Sequence, residues 1–141
     1  MFKTVVVGAD ASATARRAVE TASEIAKMAS ASLHIVTAYG PKSFNDSFLP
    51  SELQHMNVYG DVDALLQDLK FVARSYGVEA EVHAGSGSPA DVIIEFASKL
   101  GADLLVVGNR GMQGARRVLG SVPNSVAHGA PCSVAIIDTT E

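Results

Sequence analysis

Short apolar runs alternate with amphipathic helical stretches along this 141-residue chain. The first run, Val5-Val6-Val7, consists only of β-branched residues, which is typical of a strand buried on both faces of a sheet. Apolar residues at helical spacing follow it from 12 to 29, with Ser12 expected at the N-cap. Further strands are predicted at 33–38, 78–84, 104–107 and 133–137. This order predicts an α/β fold: an open five-stranded parallel sheet with helices on both faces.

The other helices are predicted between these strands, at about 61–76, 88–100 and 120–129. Gly77 and Gly101 follow the first two, where glycine commonly ends a helix. Ser88 is expected to cap the second one, with Pro89 in its first turn. Residues 39–58 contain two prolines and two asparagines and are expected to be irregular.

Composition limits the classes of protein that this chain can represent. Its length predicts one domain over 1–141, and 48% hydrophobic residues are enough for a full core. A net charge of −4 without a Lys/Arg run argues against a nucleic-acid partner. No apolar run approaches the roughly 20 residues that span a bilayer, and the first residues lack a signal-peptide pattern. The single Cys132, expected to be a buried apolar residue, fits a reducing cytoplasm.

A glycine-rich segment follows the fourth predicted strand and carries the strongest functional signal. Gly108-Asn109-Arg110-Gly111 is followed after eight residues by Gly120-Ser121, which opens the last predicted helix. Glycine admits a ligand close to main-chain N–H groups, and a helix N-terminus favours negative charge. Half of the six arginines lie between 110 and 117. Together these features predict an anion site; the alternative is a tight turn with arginines solvated on a helix face.

The chain resembles the universal stress protein family over essentially its whole length. The resemblance rests on Val7-Gly8-Ala9-Asp10-Ala11-Ser12, on Gly108-Asn109-Arg110-Gly111 with Gly120-Ser121-Val122-Pro123-Asn124, and on Ala127-His128-Gly129-Ala130-Pro131-Cys132. It implies a Rossmann-like fold of the adenine nucleotide alpha hydrolase-like type. It further implies a dimeric, cytoplasmic stress-response protein from the family's ATP-binding branch, which binds ATP or a related adenine nucleotide as a regulatory ligand.

The resemblance also implies roles for individual residues. Asp10 would lie beside the adenosine, Ala9 would line the pocket, and Ala38 would offer main-chain groups to the adenine edge. Val107 and Gly108 would face the sugar and base. The phosphates would be held by Gly111, Gly120, Ser121 and Val122, with Arg110 and Arg116 near enough to contribute charge. Asp10 could help to hold a Mg²⁺ among phosphate oxygens, although an Asp after a strand also commonly caps the next helix.

One departure from the family pattern concerns the phosphate residues. The family has nine residues between its second and third glycines, whereas Met112 to Leu119 is eight. In a continuous helix one deletion would rotate the following residues by about 100°. A loop around Gly114 would absorb the change. The adenosine part of the prediction is therefore less affected than the phosphate part, and an interaction module that binds no nucleotide stays as the alternative.

Other chemistries find less support in the sequence. Gly85-Ser86-Gly87-Ser88-Pro89-Ala90 matches a dinucleotide fingerprint, but it lies in the third strand–helix unit, and the carboxylate about 20 residues on, Asp103, precedes a strand. No P-loop is present, and the histidines are scattered without metal spacing, so His34 and His83 are expected to be structural. ATP pyrophosphatase-like enzymes carry Ser-Gly-Gly where this chain has Gly8-Ala9-Asp10. No catalytic constellation is legible, so at most slow ATP hydrolysis is expected.

The last predicted strand, 133–137, is expected to lie at a sheet edge if the family's strand order holds. It contains no Lys or Pro that would discourage pairing with another strand. The resemblance implies that the same strand of a second subunit covers it across a two-fold axis. We therefore expect a homodimer through this strand; the alternative is a C-terminal tail folded over the edge. The downstream protein partner cannot be read from the sequence.

Overall fold

The structure is a computed structural model, which describes residues 1–10, 13–39, 51–109 and 120–139. Strands and helices alternate as the sequence predicts. The strands are β1 Thr4–Gly8, β2 Ser32–Tyr39, β3 Glu81–Ser86, β4 Leu104–Gly108 and β5 Ser133–Ile137. The helices are α1 Ala13–Ala29, α2 Ser51–Ser75, α3 Pro89–Leu100 and α4 Ser121–Gly129. None of these described helices is long and apolar enough to cross a bilayer.

The five strands form one parallel sheet in the order β3-β2-β1-β4-β5. From β1 the chain first builds outward through β2 and β3, and then returns to add β4 and β5 on the other side. The strand order therefore reverses between β1 and β4. In open parallel sheets, the carboxyl ends of the strands at such a point flank a crevice. The predicted fold class is confirmed.

Alternate residues of the central strand enter two separate apolar layers. Val5 and Val7 belong to the cluster that includes residues of α1 and α2, whereas Val6 belongs to the cluster that includes residues of α3 and α4. All three side chains are fully buried. This burial on both faces explains why β1 reads as an unbroken β-branched run instead of an alternating one.

Helix α2 begins earlier than the sequence predicts. Residues 39–58 are expected to be irregular, but the structure is helical from Ser51 onward, so the prediction is wrong for 51–58. The segment Glu52-Leu53-Gln54 consists of good helix formers. Asn57 and Gly60 cost at most about 1 kcal/mol each relative to alanine, which a 25-residue helix can tolerate. Residues 40–50 lie outside the described part of the chain.

Strand β3 lies further along the chain than predicted, at Glu81–Ser86 instead of 78–84. Val78 and Ala80 are buried in the core but belong to the connection, because pairing with β2 begins at Glu81. Gly77, which ends the preceding helix as predicted, has φ +83°. Val78 and Ala80 are therefore apolar because they are buried in the core, although they do not pair with another strand.

The predicted helix caps have different outcomes. Ser12 lies outside the described residues. Ser88 occupies the N-cap of α3, but its hydroxyl donates to Asp91 Oδ2 at 2.8 Å and makes no hydrogen bond to a helix N–H. Gly101 ends α3 with φ +67°, as expected.

The amino ends of β1 and β4 are joined through Asp103. Its carboxylate accepts hydrogen bonds from the backbone N–H groups of Lys3, at 2.9 Å, and Thr4, at 3.0 Å. These bonds lower the pKa of Asp103 below its usual range, the bond from Lys3 contributing most. Asp103 thus has a structural role at the amino ends of the strands. This position agrees with the sequence argument that Asp103 does not belong to a dinucleotide site.

Candidate functional site

A cavity of about 330 Å³ opens at the carboxyl ends of β1 and β4. Gly8, Ala9 and Asp10 line it from the end of β1, and Val107 and Gly108 line it from the end of β4. These are the strands between which the strand order reverses. The residues that follow β1 and the beginning of the glycine-rich segment after β4 are therefore neighbours, because the carboxyl ends of parallel strands lie at the same end of the sheet.

The rest of the lining comes from β2 and from the beginnings of α1, α3 and α4. These residues are Ala38, Thr14, Ala15, Pro89, Ile93, Ser121, Val122 and Pro123. The amino ends of three helices thus converge on one cavity. Each helix directs the positive end of its dipole toward this space, so the cavity favours a ligand that carries negative charge.

The amino end of α4 offers main-chain donors to the cavity. Gly120 is the N-cap, in an extended conformation, and as a glycine it has no side chain with which to cap the helix. The first intrahelical bond runs from Asn124 N–H to Gly120 O, at 3.0 Å. The N–H groups of Ser121 and Val122 precede that bond, and both residues line the cavity. Such a helix end is suited to bind a phosphate or carboxylate.

Glycine at the ends of β1 and β4 also has a packing role. A Cβ on Gly8 would collide with the Ile93 side chain of α3. A Cβ on Gly108 would lie 3.2 Å from Thr139 Cγ2, which is closer than most real contacts. These glycines therefore allow α3 and the segment after β5 to approach the strand ends that form the cavity.

The Asn109 side chain fixes the chain immediately after Gly108. It is 1% exposed, and its Oδ1 accepts hydrogen bonds from the Thr139 backbone N–H at 2.9 Å and the Thr139 hydroxyl at 3.0 Å. Its Nδ2 donates to Asp138 Oδ1 at 3.2 Å. The segment after β5 is thereby held at the end of β4. The sequence shows Asn109 after an apolar run but does not indicate this contact with the segment after β5.

Comparison with known proteins identifies the family. The model of the universal stress protein family matches residues 1–138. The chain belongs to this family. Universal stress protein Rv1636 of Mycobacterium tuberculosis is 38% identical to it over 144 residues, covering 99% of this chain and 98% of the relative. The resemblance inferred from the glycine segments is confirmed.

Solved universal stress proteins have the same fold. A crystal structure of a universal stress protein in complex with cAMP is similar to this chain with a TM-score of 0.79 and 35% identity. That match covers 99% of this chain and 98% of the other. UspA from Lactobacillus plantarum matches with a TM-score of 0.74 and 28% identity, over 96% and 97% of the two chains.

The structure brings together most of the site residues predicted for this universal stress protein. Those that line the cavity are Ala9, Asp10, Ala38, Val107, Gly108, Ser121 and Val122. Gly120 adjoins them as the N-cap of α4. Arg110, Gly111 and Arg116 lie outside the described residues. Sequence reasoning missed the lining residues contributed by α1 and α3. The signal for them was their position in the first helical turns that follow β1 and β3.

Cys132 lies apart from this cavity, between α4 and β5, and is half-buried. Burial, with a smaller effect from the charge of Asp103, raises the pKa of its thiol. The sulfur therefore stays protonated near neutral pH and packs with the layer of α3 and α4 residues. This environment fits the apolar role expected from the sequence and is unsuited to an activated nucleophile.

Two histidines that are distant in sequence meet between β2 and β3. His34 Nδ1 lies 2.9 Å from His83 Nε2 and 3.5 Å from Glu81 Oε2. The scattered sequence positions of the histidines do not indicate this contact, which arises because the β2–β3 register sets His34 opposite Glu81 and Val36 opposite His83. Burial lowers the pKa of His83, the charge of His34 adds to this effect, and Glu81 opposes it.

Proposed function

We propose that this universal stress protein is a regulatory protein that binds ATP or a related adenine nucleotide in the cavity between β1 and β4. The observation that carries the proposal is the composition of the cavity, in which small apolar walls meet the amino end of α4. Its volume of about 330 Å³ lies within the range of small-molecule sites, roughly 300–1,000 Å³.

The two parts of a nucleotide suit different parts of this cavity. Ala9, Ala38 and Val107 provide apolar surface for the adenine and ribose, and Asp10 provides a carboxylate for the sugar hydroxyls. The phosphates would lie against Gly120 and the N–H groups of Ser121 and Val122, which the α4 dipole makes favourable for anions. By family resemblance, Gly111 and the side chain of Arg110 would complete the phosphate site. Arg116, in the same segment, would add positive charge near the phosphates.

Two considerations bear on which ligand is bound. The relative crystallised with cAMP supports an adenine nucleotide as the class of ligand. Asp10, exposed where it lines the cavity, offers the kind of oxygen ligand that Mg²⁺ takes beside substrate phosphates. A bound Mg²⁺ would neutralise part of the phosphate charge.

Binding fits the described cavity better than catalysis. Among the described residues that line it, Asp10 supplies a carboxylate and Thr14 and Ser121 supply hydroxyls, with no histidine, cysteine or lysine beside them. We therefore propose a regulatory ligand in a cytoplasmic protein, with at most slow ATP hydrolysis.

Mass spectrometry of the natively purified protein tests this function. We expect an adenine nucleotide to be released on denaturation, at close to one molecule per chain. Calorimetry on the emptied protein should then show binding of ATP, cAMP and adenosine. Failure of all three to bind would favour the alternative, an interaction module without a nucleotide. Multiple turnovers of ATP would contradict the regulatory assignment.

We also propose that two copies of this chain pair through β5. This strand ends the order β3-β2-β1-β4-β5, so one of its sides is an edge. Ile136 on it is 36% exposed. The tail up to Thr139 does not act as a cover, because Asn109 holds it at the end of β4, the inner neighbour of β5. An apolar edge that the described residues leave uncovered favours pairing with another strand.

Light scattering at micromolar concentration tests the dimer. The unmodified protein should have twice the mass of one chain, and Ile136→Lys should shift it to the monomer by placing a charge in the contact. Phe71→Lys is the matched control, since Phe71 is a 70% exposed apolar residue on α2. A monomeric unmodified protein, or equal dissociation by both variants, would contradict the proposed interface.

A further inference from the structure

Three side chains able to bind a metal ion converge away from the nucleotide cavity, on the sheet face that α3 covers. They are His34 from β2 and Glu81 and His83 from β3. Parallel pairing sets His34 opposite Glu81, and His83 lies two residues further along the same face. The His83 ring packs against Phe96 of α3, with centroids 5.2 Å apart. The cluster therefore depends on two neighbouring strands and one helix.

The distances are close to those that a tetrahedral metal site requires. Bonds of about 2.0–2.1 Å at tetrahedral angles place neighbouring ligand atoms about 3.3 Å apart. The observed separations are 2.9 Å between the two imidazole nitrogens and 3.5 Å from His34 Nδ1 to Glu81 Oε2. All three ligand atoms lie within 4.8 Å of one another. Small rotations of the side chains would bring them to a common ion.

Burial divides the cluster into a fixed part and an adjustable part. His34 is 8% exposed, and the half-buried His83 ring packs against Phe96, so packing restricts the movement of both rings. The Glu81 side chain is 74% exposed and can swing toward the rings without disturbing the core. A preorganised histidine pair with an adjustable carboxylate can close around an ion at little conformational cost.

The two imidazole nitrogens must share either a proton or a metal ion. Lone pairs facing each other at 2.9 Å repel, so without a metal one ring must donate a proton to the other. A metal ion can replace that proton and use both lone pairs.

We propose that His34, His83 and Glu81 bind a divalent transition-metal ion, with Zn²⁺ as the best match and water as the fourth ligand. Two nitrogens and one carboxylate oxygen suit zinc, whereas Mg²⁺ and Ca²⁺ prefer all-oxygen sites. The ion would join the edge strand β3 to β2 beneath α3. This site is separate from the proposed nucleotide cavity and stands or falls independently of it.

Calorimetric titration of Zn²⁺ into the tag-free, nucleotide-free protein tests the site. We expect one ion per chain. His83→Gln should weaken binding more than about tenfold, since loss of an outer-shell partner alone costs roughly 10- to 100-fold. Glu81→Gln should weaken it as well, and it changes a side chain that is 74% exposed. The matched control is His128→Gln, at an exposed histidine near the end of α4, which should leave the affinity unchanged.

The visible absorption of Co²⁺ bound in place of Zn²⁺ gives a second test of the same site. Co²⁺ bound to these three side chains and water should show the intense visible absorption of tetrahedral coordination, and His83→Gln should remove it. Circular dichroism would establish that each variant remains folded. The proposal is overturned if Zn²⁺ does not bind stoichiometrically, if neither His83→Gln nor Glu81→Gln weakens it, or if Mg²⁺ binds equally well. In each case the histidine pair would be a hydrogen-bonded structural contact.

Discussion

Replacing the buried Asn109 by alanine should clearly lower the free energy of unfolding, because several hydrogen bonds depend on this one side chain. The Asn109 amide makes three hydrogen bonds, two accepted from Thr139 and one donated to Asp138. These bonds join the end of β4, where the nucleotide cavity begins, to the segment after β5. Because Asn109 is 1% exposed and Thr139 is 3% exposed, water has little access to the groups that the substitution would leave unpaired.

The magnitude follows from the groups that lose their partners. The Thr139 backbone N–H would become a buried unsatisfied donor, at a cost of about 1–3 kcal/mol. The Thr139 hydroxyl can rotate, so the loss of its bond costs about 1 kcal/mol. Asp138 is exposed, and water can replace its bond at little cost. Asn109→Ala should therefore lower the free energy of unfolding by about 2–4 kcal/mol.

Urea denaturation followed by circular dichroism measures this change. With a slope of about 2 kcal/mol per molar, a loss of about 3 kcal/mol lowers the midpoint by about 1.5 M. Thr139→Val is the matched control, because it keeps the side-chain shape and the backbone bond and removes only the hydroxyl, at about 1 kcal/mol. If Asn109→Ala costs less than about 1 kcal/mol, or no more than Thr139→Val, the buried N–H argument is wrong.

Three further predictions test the nucleotide site and the joined strand ends. Gly120→Val should lower ATP affinity at least about tenfold, or 1.4 kcal/mol, by calorimetry, with Ser125→Val on the exposed face of α4 as control. Unchanged affinity in the folded variant would remove α4 from the site. Arg110→Ala or Arg116→Ala should weaken ATP more than adenosine, because arginine acts on phosphate charge; equal effects on both ligands would contradict a phosphate contact. The carboxylate of Asp103 has a lower pKa in the folded protein than its ordinary value of 3.8, so its contribution to stability is present above that value and is lost as the pH falls through the folded pKa. Asp103→Asn should therefore flatten the acid dependence of the free energy of unfolding below about pH 5, and an unaltered slope in that range would contradict this reasoning.

The fold could be predicted from the sequence because its strongest signals are local. Val5-Val6-Val7 reports burial on both faces, and Gly77 and Gly101 mark helix ends that the structure confirms. The boundaries of α2 and β3 could not be predicted as well. Val78 and Ala80 are apolar because they pack in the core, and a sequence pattern reports burial more directly than strand pairing.

The candidate site also has one part that the local sequence predicts and another part that it does not. Ala9, Asp10, Val107 and Gly108 follow buried strands, so the rule for parallel sheets alone places them together. The histidine pair depends instead on the register between β2 and β3, which no pattern within either strand specifies. His34 and His83 are 49 residues apart in sequence, and only the pairing of the strands brings their rings into contact.

The nucleotide cavity and the histidine cluster lie on one face of β2, and this arrangement allows the two proposals to be tested separately. His34 and Ala38 point to the same side of the sheet, about 13 Å apart along the strand. Between them lies Val36, which is fully buried in the layer that includes α3 residues. An apolar side chain in this position transmits neither protons nor charge. His83→Gln should therefore leave the affinity for ATP unchanged, and Gly120→Val should leave the affinity for Zn²⁺ unchanged; reciprocal losses would show that the variants act through the packing of α3 and not through the ligands they are meant to remove.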